Sequence, residues 1–188
     1  MTYRRALGTD AERIALLHAD SWRRTYRGSY RDDFLDDEVV TNRLEVWRNR
    51  LAQQREDQFV YLADTDSRLL GFICVFGNED PKWGSLIDNL HVSYESKRGG
   101  IGTLLMRSAA IWLEEHYRDT GVYLWHLEAN QTARCFYERL GAVHAETKQM
   151  DNPGGGSSRS WRVVWVRPKE LRLRADALTL AWQTARPR

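Results

Sequence analysis

The chain has 188 residues, with 28 Lys and Arg against 26 Asp and Glu, a net charge of +2. That length predicts one domain with a real core, and the even charge balance argues against a nucleic-acid partner. No run approaches the roughly 20 apolar residues of a bilayer span, and Met1 to Asp10 lacks the apolar stretch of a signal peptide. A cytoplasmic protein with no membrane partner is the expectation. Cys74 and Cys135 each sit inside an apolar element and are expected as buried thiols, not as a disulfide framework.

Along the chain, Tyr3 to Leu7 is a short first strand. Thr9-Asp10-Ala11-Glu12 has capping-box form before a helix carrying Ile14, Leu16, Leu17 and Ala19. Ser21 to Tyr30 is dense in aromatics and arginines. Phe34, Leu35, Val39, Leu44, Trp47 and Leu51 predict one or two helical pieces ending near Glu56. Phe59 to Ala63 and Leu69 to Phe76 are strands joined by the turn-rich Asp64-Thr65-Asp66-Ser67. A loop from Asn78 to Gly84 precedes a buried strand, Ser85 to Val92, and a polar loop, Ser93 to Gly99. From Gly100 to about Tyr117, Ile101, Leu104, Leu105, Ala109, Trp112 and Leu113 make one apolar helical face. Gly121 to Glu128 is strand-like. Val143 to Met150 and Arg159 to Arg167 are the last strands, flanking Asp151 to Ser158, whose composition predicts a flexible, solvated link. Pro168 closes the domain, 1–167, and leaves 168–188 as a basic tail with room for a short helix around Leu171, Leu178, Leu180 and Trp182. A solvated tail or a homodimer contact is its expected use.

The junction of Val92 with the following helix carries the chemistry. The first N–H groups of a helix lack intrahelical partners, and the dipole adds partial positive charge there. Gly100 and Gly102 remove side chains beside those donors, and Lys97 and Arg98 add cations. A P-loop would need a Gly-Lys-Ser/Thr ending, and a dinucleotide fingerprint a third glycine near Leu105; neither is present.

Lys97-Arg98-Gly99-Gly100-Ile101-Gly102 is similar to the Gln/Arg-x-x-Gly-x-Gly/Ala pyrophosphate loop of the GNAT acetyltransferases, with lysine at the first position. Leu90-His91-Val92 resembles the strand that precedes that loop in the family. Asn130-Gln131-Thr132-Ala133-Arg134-Cys135-Phe136-Tyr137-Glu138-Arg139-Leu140-Gly141-Ala142 resembles its Asn-x-x-Ala-x-x-Phe-Tyr-x-x-x-Gly-Phe segment, with alanine last. The resemblance implies an α/β fold with a mixed, mostly antiparallel sheet, helices on both faces, and the fourth and fifth strands splayed for acyl-CoA. It implies acetyl-CoA as cofactor and CoA as product. The pantetheine arm would pair with main chain near Leu90 and Val92. The pyrophosphate would lie over Lys97, Arg98, Gly99, Gly100, Gly102 and Thr103, with Asn130 and Tyr137 completing the cofactor site.

The reaction so implied is acetyl transfer to an amine by direct attack in a ternary complex. An ammonium of pKa about 10.4 leaves roughly one molecule in 10³ as free nucleophile at neutral pH. Tyr137 stands at the family's phenol position and is expected to protonate the leaving thiolate. Asp88, in phase with Leu90 and Val92 by the strand's period of two, is the first candidate base. His126, Glu128 and a water chain are held in reserve. Trp22, Tyr26, Tyr30 and Trp83 are expected around the acceptor by family analogy. No metal is needed, and the histidines show no ligand spacing. The acceptor is a small-molecule or peptide amine. The alternatives are a non-catalytic acyl-CoA sensor and an acetyltransferase of protein N-termini or lysines.

Overall fold

The computed structural model describes residues 1–184. In chain order the elements are β1 (Thr2–Arg5), α1 (Ala11–Thr25), α2 (Val39–Ala52), β2 (Gln58–Asp64), β3 (Leu69–Asp80), β4 (Gly84–Val92), α3 (Ile101–His116), β5 (Val122–Leu127), α4 (Gln131–Arg139), β6 (Val143–Asp151), β7 (Ser157–Trp165) and α5 (Pro168–Thr184). The strands form one seven-stranded sheet in the order β1-β2-β3-β4-β5-β7-β6. Every neighbouring pair is antiparallel except β4 and β5. This is the α/β architecture expected.

Period-two alternation splits the core into two layers. Phe72, Cys74 and Phe76 of β3 face α1 and α2 and pack with Ile14, Ala15, Trp47 and Leu51. Ile73 and Val75 face the other way, onto Ile101, Leu105, Ala109 and Leu113 of α3. Each large apolar side chain buried this way contributes about 1.5–3 kcal/mol.

Several local expectations change. Asp10 stands at the N-cap of the first helix but makes no side-chain cap to it; its carboxylate accepts from the Leu7 N–H at 2.8 Å, across the short 3-10 turn Gly8–Asp10, so the expected pairing of Thr9 with Glu12 is replaced by an earlier contact. α1 runs through Ser21 to Thr25, and the connecting turn begins only at Tyr26. A π turn, Phe34–Glu38, leads directly into α2. β3 continues to Asp80, so the expected loop shrinks to the turn ahead of Gly84. Cys135 is exposed on α4, while Cys74 is buried as expected.

The stretch after Pro168 is a 17-residue helix, with Leu171 and Ala175 fully buried against the α3 layer. Arg172 pairs with Glu114 at 2.5 Å and Arg107 with Asp176 at 2.5 Å, fixing α5 along α3. A solvated tail is thereby corrected: Leu171, Ala175 and Leu178 pack on the α3 layer, while Leu173 and Leu180 stay exposed. Arg186 and Arg188 lie outside the described residues.

Candidate active site

β4 and β5 pair only at Ser85–Val122 and Leu86–Tyr123. Beyond that point β5 follows β7 as far as Leu127–Ser160, and β4 follows β3 as far as Val92–Gly71. The two strands separate into a V, and the β5-facing edge of β4 from Ile87 to Val92 has no strand partner. Main-chain donors and acceptors along such an edge suit an extended amide chain.

The wide end of the V leads to the glycine loop. Arg98 has φ 63° and Gly100 φ 80°, so the backbone turns sharply into α3. No side chain caps that helix, which leaves its first N–H groups for an anion. The indole of Trp182 lies 3.5 Å from where a Cβ on Gly100 would stand, so the end of α5 borders this loop. Gly102 answers a packing need: its Cβ would come within 3.3 Å of the Phe136 ring on α4. An unpaired strand edge that ends at an uncapped helix N-terminus fits pantetheine and pyrophosphate.

Asn130 caps α4 by accepting from the Ala133 N–H at 3.0 Å. Tyr137, on the same helix, packs among Phe136, His126 and Trp165. Burial pushes its phenol above the ordinary tyrosine range. Tyr26 approaches from the other side of the sheet. Its phenol is raised by burial first, with Tyr30 and Tyr137 adding to the effect. Phenols carried by elements on opposite faces act on one another here across the opened sheet.

Three of the four aromatic residues expected around the acceptor pack together. Trp22 packs on Tyr26 at 5.6 Å and on Tyr30 at 5.2 Å. Asp151 to Ser158 is no free link: Asn152 Nδ2 and Ser158 Oγ donate to the Ser29 carbonyl at 3.0 and 3.1 Å. Arg31 Nη1 donates to the Gly154 carbonyl at 3.0 Å. Gly154 has φ 80°, and a Cβ there would fall 2.2 Å from the Phe34 ring. The glycines thus serve backbone geometry and close approach, and the hairpin is clamped across the start of the α1–α2 connection. Trp83 sits elsewhere, at 4.7 Å from the Arg162 guanidinium in a group with Tyr123 and Trp125. Among the described residues it makes no ring contact with Trp22, Tyr26 or Tyr30.

Asp88 does not keep phase with Leu90 and Val92. A bulge intervenes: Cys74 pairs with Asn89 and Val75 with Ile87, leaving Asp88 unpaired. Leu90 and Val92 pack toward α3, whereas Asp88 Oδ2 and Asn89 Oδ1 both accept from Arg50 Nη1 on α2, at 2.7 and 2.9 Å. The two reserve groups divide. Glu128 accepts from Trp161 Nε1 at 3.0 Å and pairs with Arg159 at 3.3 Å. His126 Nδ1 donates to the Leu127 carbonyl at 2.9 Å, which leaves Nε2 buried and without a partner, its ring 5.8 Å from Tyr137. Burial lowers its pKa, so it is neutral at physiological pH.

One group escaped the sequence reading. The buried residues of α2 are Val39, Arg43, Trp47 and Leu51, four apart on one helical stripe. Arg43 is only 9% exposed. Its guanidinium lies 4.3 Å over the Trp22 ring, and Nε and Nη2 both donate to the single Oδ1 of Asn42. The one carboxylate near enough to act on it, Asp88, is already paired with Arg50. Desolvating an arginine costs several kcal/mol, and a cation–π contact returns about 0.5–2 kcal/mol. An arginine on the apolar stripe was the available signal.

No helix among the described residues is long and apolar enough to cross a membrane. Nor does any group of three or more His, Cys, Asp and Glu among them stand as a metal site.

No curated protein sequence matches. Among solved structures, PaiA N-acetyltransferase of Thermoplasma acidophilum in complex with coenzyme A is 21% identical, covering 85% of this chain and 96% of its own, with a TM-score of 0.62. The ribosomal-protein-alanine N-acetyltransferase of Brucella melitensis is 17% identical over 88% of this chain and 99% of its own, at 0.66. NAA60 of Arabidopsis thaliana in complex with a bisubstrate analogue is 18% identical over 87% and 96%, at 0.63. At these identities the likeness is one of fold. The acetyltransferase (GNAT) family profile matches residues 18–142, from within α1 through the glycine loop to just past the Tyr137 helix, and the chain belongs to that family, with acetyl-CoA as its cofactor.

Proposed function

We propose that the protein transfers the acetyl group of acetyl-CoA to the primary amine of a small molecule, by direct attack with both substrates bound. The observation that carries this is the V between β4 and β5, where Tyr137 and Tyr26 approach from opposite faces of the sheet. Bound acetyl-CoA supplies a thioester, an acyl group already activated toward amines.

Tyr137 donates to the sulfur as charge develops there. Burial keeps the phenol protonated at neutral pH. A free thiolate has a pKa of about 8.5, below that of the phenol. The same burial raises the thiol, however, which narrows the gap and favours proton sharing as the carbon–sulfur bond breaks. Asp88 faces the α1–α2 side of the sheet. Arg50 occupies its Oδ2, and Oδ1 remains to receive the ammonium of the acceptor. With one oxygen already held by Arg50, Asp88 orients the amine, whose proton passes to water. The β6–β7 hairpin clamped over Ser29 to Phe34 narrows the acceptor side, which favours a small amine over an extended peptide.

Thiol release from acetyl-CoA with pooled polyamines, amino acids, aminoglycosides and short peptides tests the proposal, with calorimetric acetyl-CoA binding in parallel. Release above hydrolysis in a small-molecule pool is expected. Binding without release in any pool would favour an acyl-CoA sensor, and release only with peptides would overturn the small-amine assignment.

A further inference from the structure

Arg43 brings a buried positive charge to the acceptor side with no counter-ion of its own. The titratable groups around it are His18, His91, Arg50, Tyr30 and Asp88. Asp88 and Arg50 neutralise each other at 2.7 Å. Tyr30 is raised by burial and uncharged at neutral pH. His18 is pushed well below its ordinary range, chiefly by burial. His91 is pushed to about 3 by burial, with the charges of Arg43 and Lys97 adding to it. Both rings are therefore neutral. His91 Nδ1 is engaged by Ser21 Oγ at 2.8 Å, and His18 Nδ1 accepts from Trp47 Nε1 at 3.0 Å. The cluster as a whole carries one unmatched positive charge, on Arg43.

One edge of that guanidinium is unused. Nε and Nη2 are tied to Asn42, whereas Nη1 makes no hydrogen bond among the described residues and is not among the buried polar atoms sealed from solvent. Trp22 supports the flat face of the guanidinium and is itself in ring contact with Tyr26 and Tyr30. Tyr26 in turn lies within electrostatic reach of Tyr137. A planar fork with an unused edge, beside the place where an amine is acetylated, matches a carboxylate.

We propose that Arg43 receives the carboxylate of the acceptor, so that the acetylated amine belongs to a free amino acid. This rests on the acetyl-transfer reading above and deepens it. An amine with a carboxylate on the same small molecule would satisfy both charged ends of the pocket, ammonium at Asp88 and carboxylate at Arg43. A polyamine would bring more positive charge toward Arg43 and is disfavoured.

Matched pairs test this: histidine with histamine, arginine with agmatine and tyrosine with tyramine, together with phosphoethanolamine. In at least one pair the acid is expected to exceed its decarboxylated partner by about tenfold or more in kcat/KM. Arg43→Gln should lower that ratio about 10- to 10²-fold, through KM. Arg43→Lys, which keeps the charge but not the fork, should lower it about 3- to 10-fold. Acetyl-CoA binding by calorimetry reports whether each variant is folded; should Arg43→Gln fail, Arg43→Lys decides. Equal use of acid and amine, preference for phosphoethanolamine, or a ratio untouched in the variants overturns the proposal. If acetyl-CoA binds and no amine of either kind is acetylated, the transfer reading fails separately. Calorimetric titration of the same amino acids into CoA-loaded protein then decides the carboxylate site. Binding that weakens in the Arg43 variants upholds it, and no binding, or equal binding, overturns it.

Discussion

Arg50 Nη1 lies 2.7 Å from Asp88 Oδ2 and 2.9 Å from Asn89 Oδ1, bridging consecutive residues of β4 that would point apart in a regular strand. The bulge that turns them to the same side lies just past the last β4–β5 pair. The ion pair therefore holds the strand where the V begins to open. Asp88→Asn keeps the shape and removes the charge. Steady-state kinetics should show kcat/KM for the amine falling about 10- to 10²-fold, mostly through KM, as expected for an orienting group. A loss of 10³ or more, in kcat, would make Asp88 the obligatory base instead.

Tyr137 is tested by a change of one atom. Its phenol acts on charge that develops only as the thioester breaks, so its removal should affect turnover more than ground-state binding. Tyr137→Phe is expected to lower kcat about 10- to 10³-fold with acetyl-CoA affinity nearly unchanged by calorimetry. Unchanged turnover would remove Tyr137 as the donor.

The parts legible in the sequence are those whose chemistry is local. The uncapped glycine entry to α3 and the Asn130 cap of α4 depend on residues a few positions apart. Asp88 was misplaced because a bulge is a property of pairing between two strands, and alternation along one strand carries no trace of it. Gly154, Gly155 and Gly156 looked flexible for a similar reason. The approach of Gly154 to Phe34 and its bond to Arg31 are contacts with residues more than a hundred positions away. Arg43 lies on the apolar stripe of α2 at the spacing of Val39 and Trp47, but an apolar count along the helix does not register an arginine.

Gly154→Ala tests whether the hairpin shapes the acceptor pocket. An alanine there would hold an unfavourable φ of 80° and place a methyl 2.2 Å from the Phe34 ring, so the hairpin must lift. Strain of this kind costs about 1–3 kcal/mol. The expected result is a lower melting temperature and an amine KM raised several-fold, with acetyl-CoA affinity preserved because the glycine loop lies elsewhere. A cofactor affinity that falls in parallel would mean the variant disturbs the whole sheet.

Acid sensitivity should come from the far end of the sheet. Asp10 and Asp64 are buried beside Arg4 and Arg13, with contacts of 2.7 Å from Arg4 to Asp10 and 2.5 Å from Arg13 to Asp64. The Arg4 hydrogen bonds hold Asp10 below its usual range. For Asp64, burial acts upward, but the hydrogen bonds from Arg13 and Arg4 outweigh it and the net shift is also downward. A carboxyl whose folded pKa lies below its unfolded value binds protons preferentially in the unfolded state. Its stabilisation is complete above the unfolded pKa of about 3.9 and is lost as the pH falls through the folded value. Urea midpoints should therefore owe this cluster no change between pH 7 and 5, and should drop below about pH 4. Asp10→Asn is expected to cost about 1–2 kcal/mol at pH 7, discounted because Arg4 is partly exposed, and to flatten the decline below pH 4. A variant with the same acid slope as the parent would place the titrating groups elsewhere.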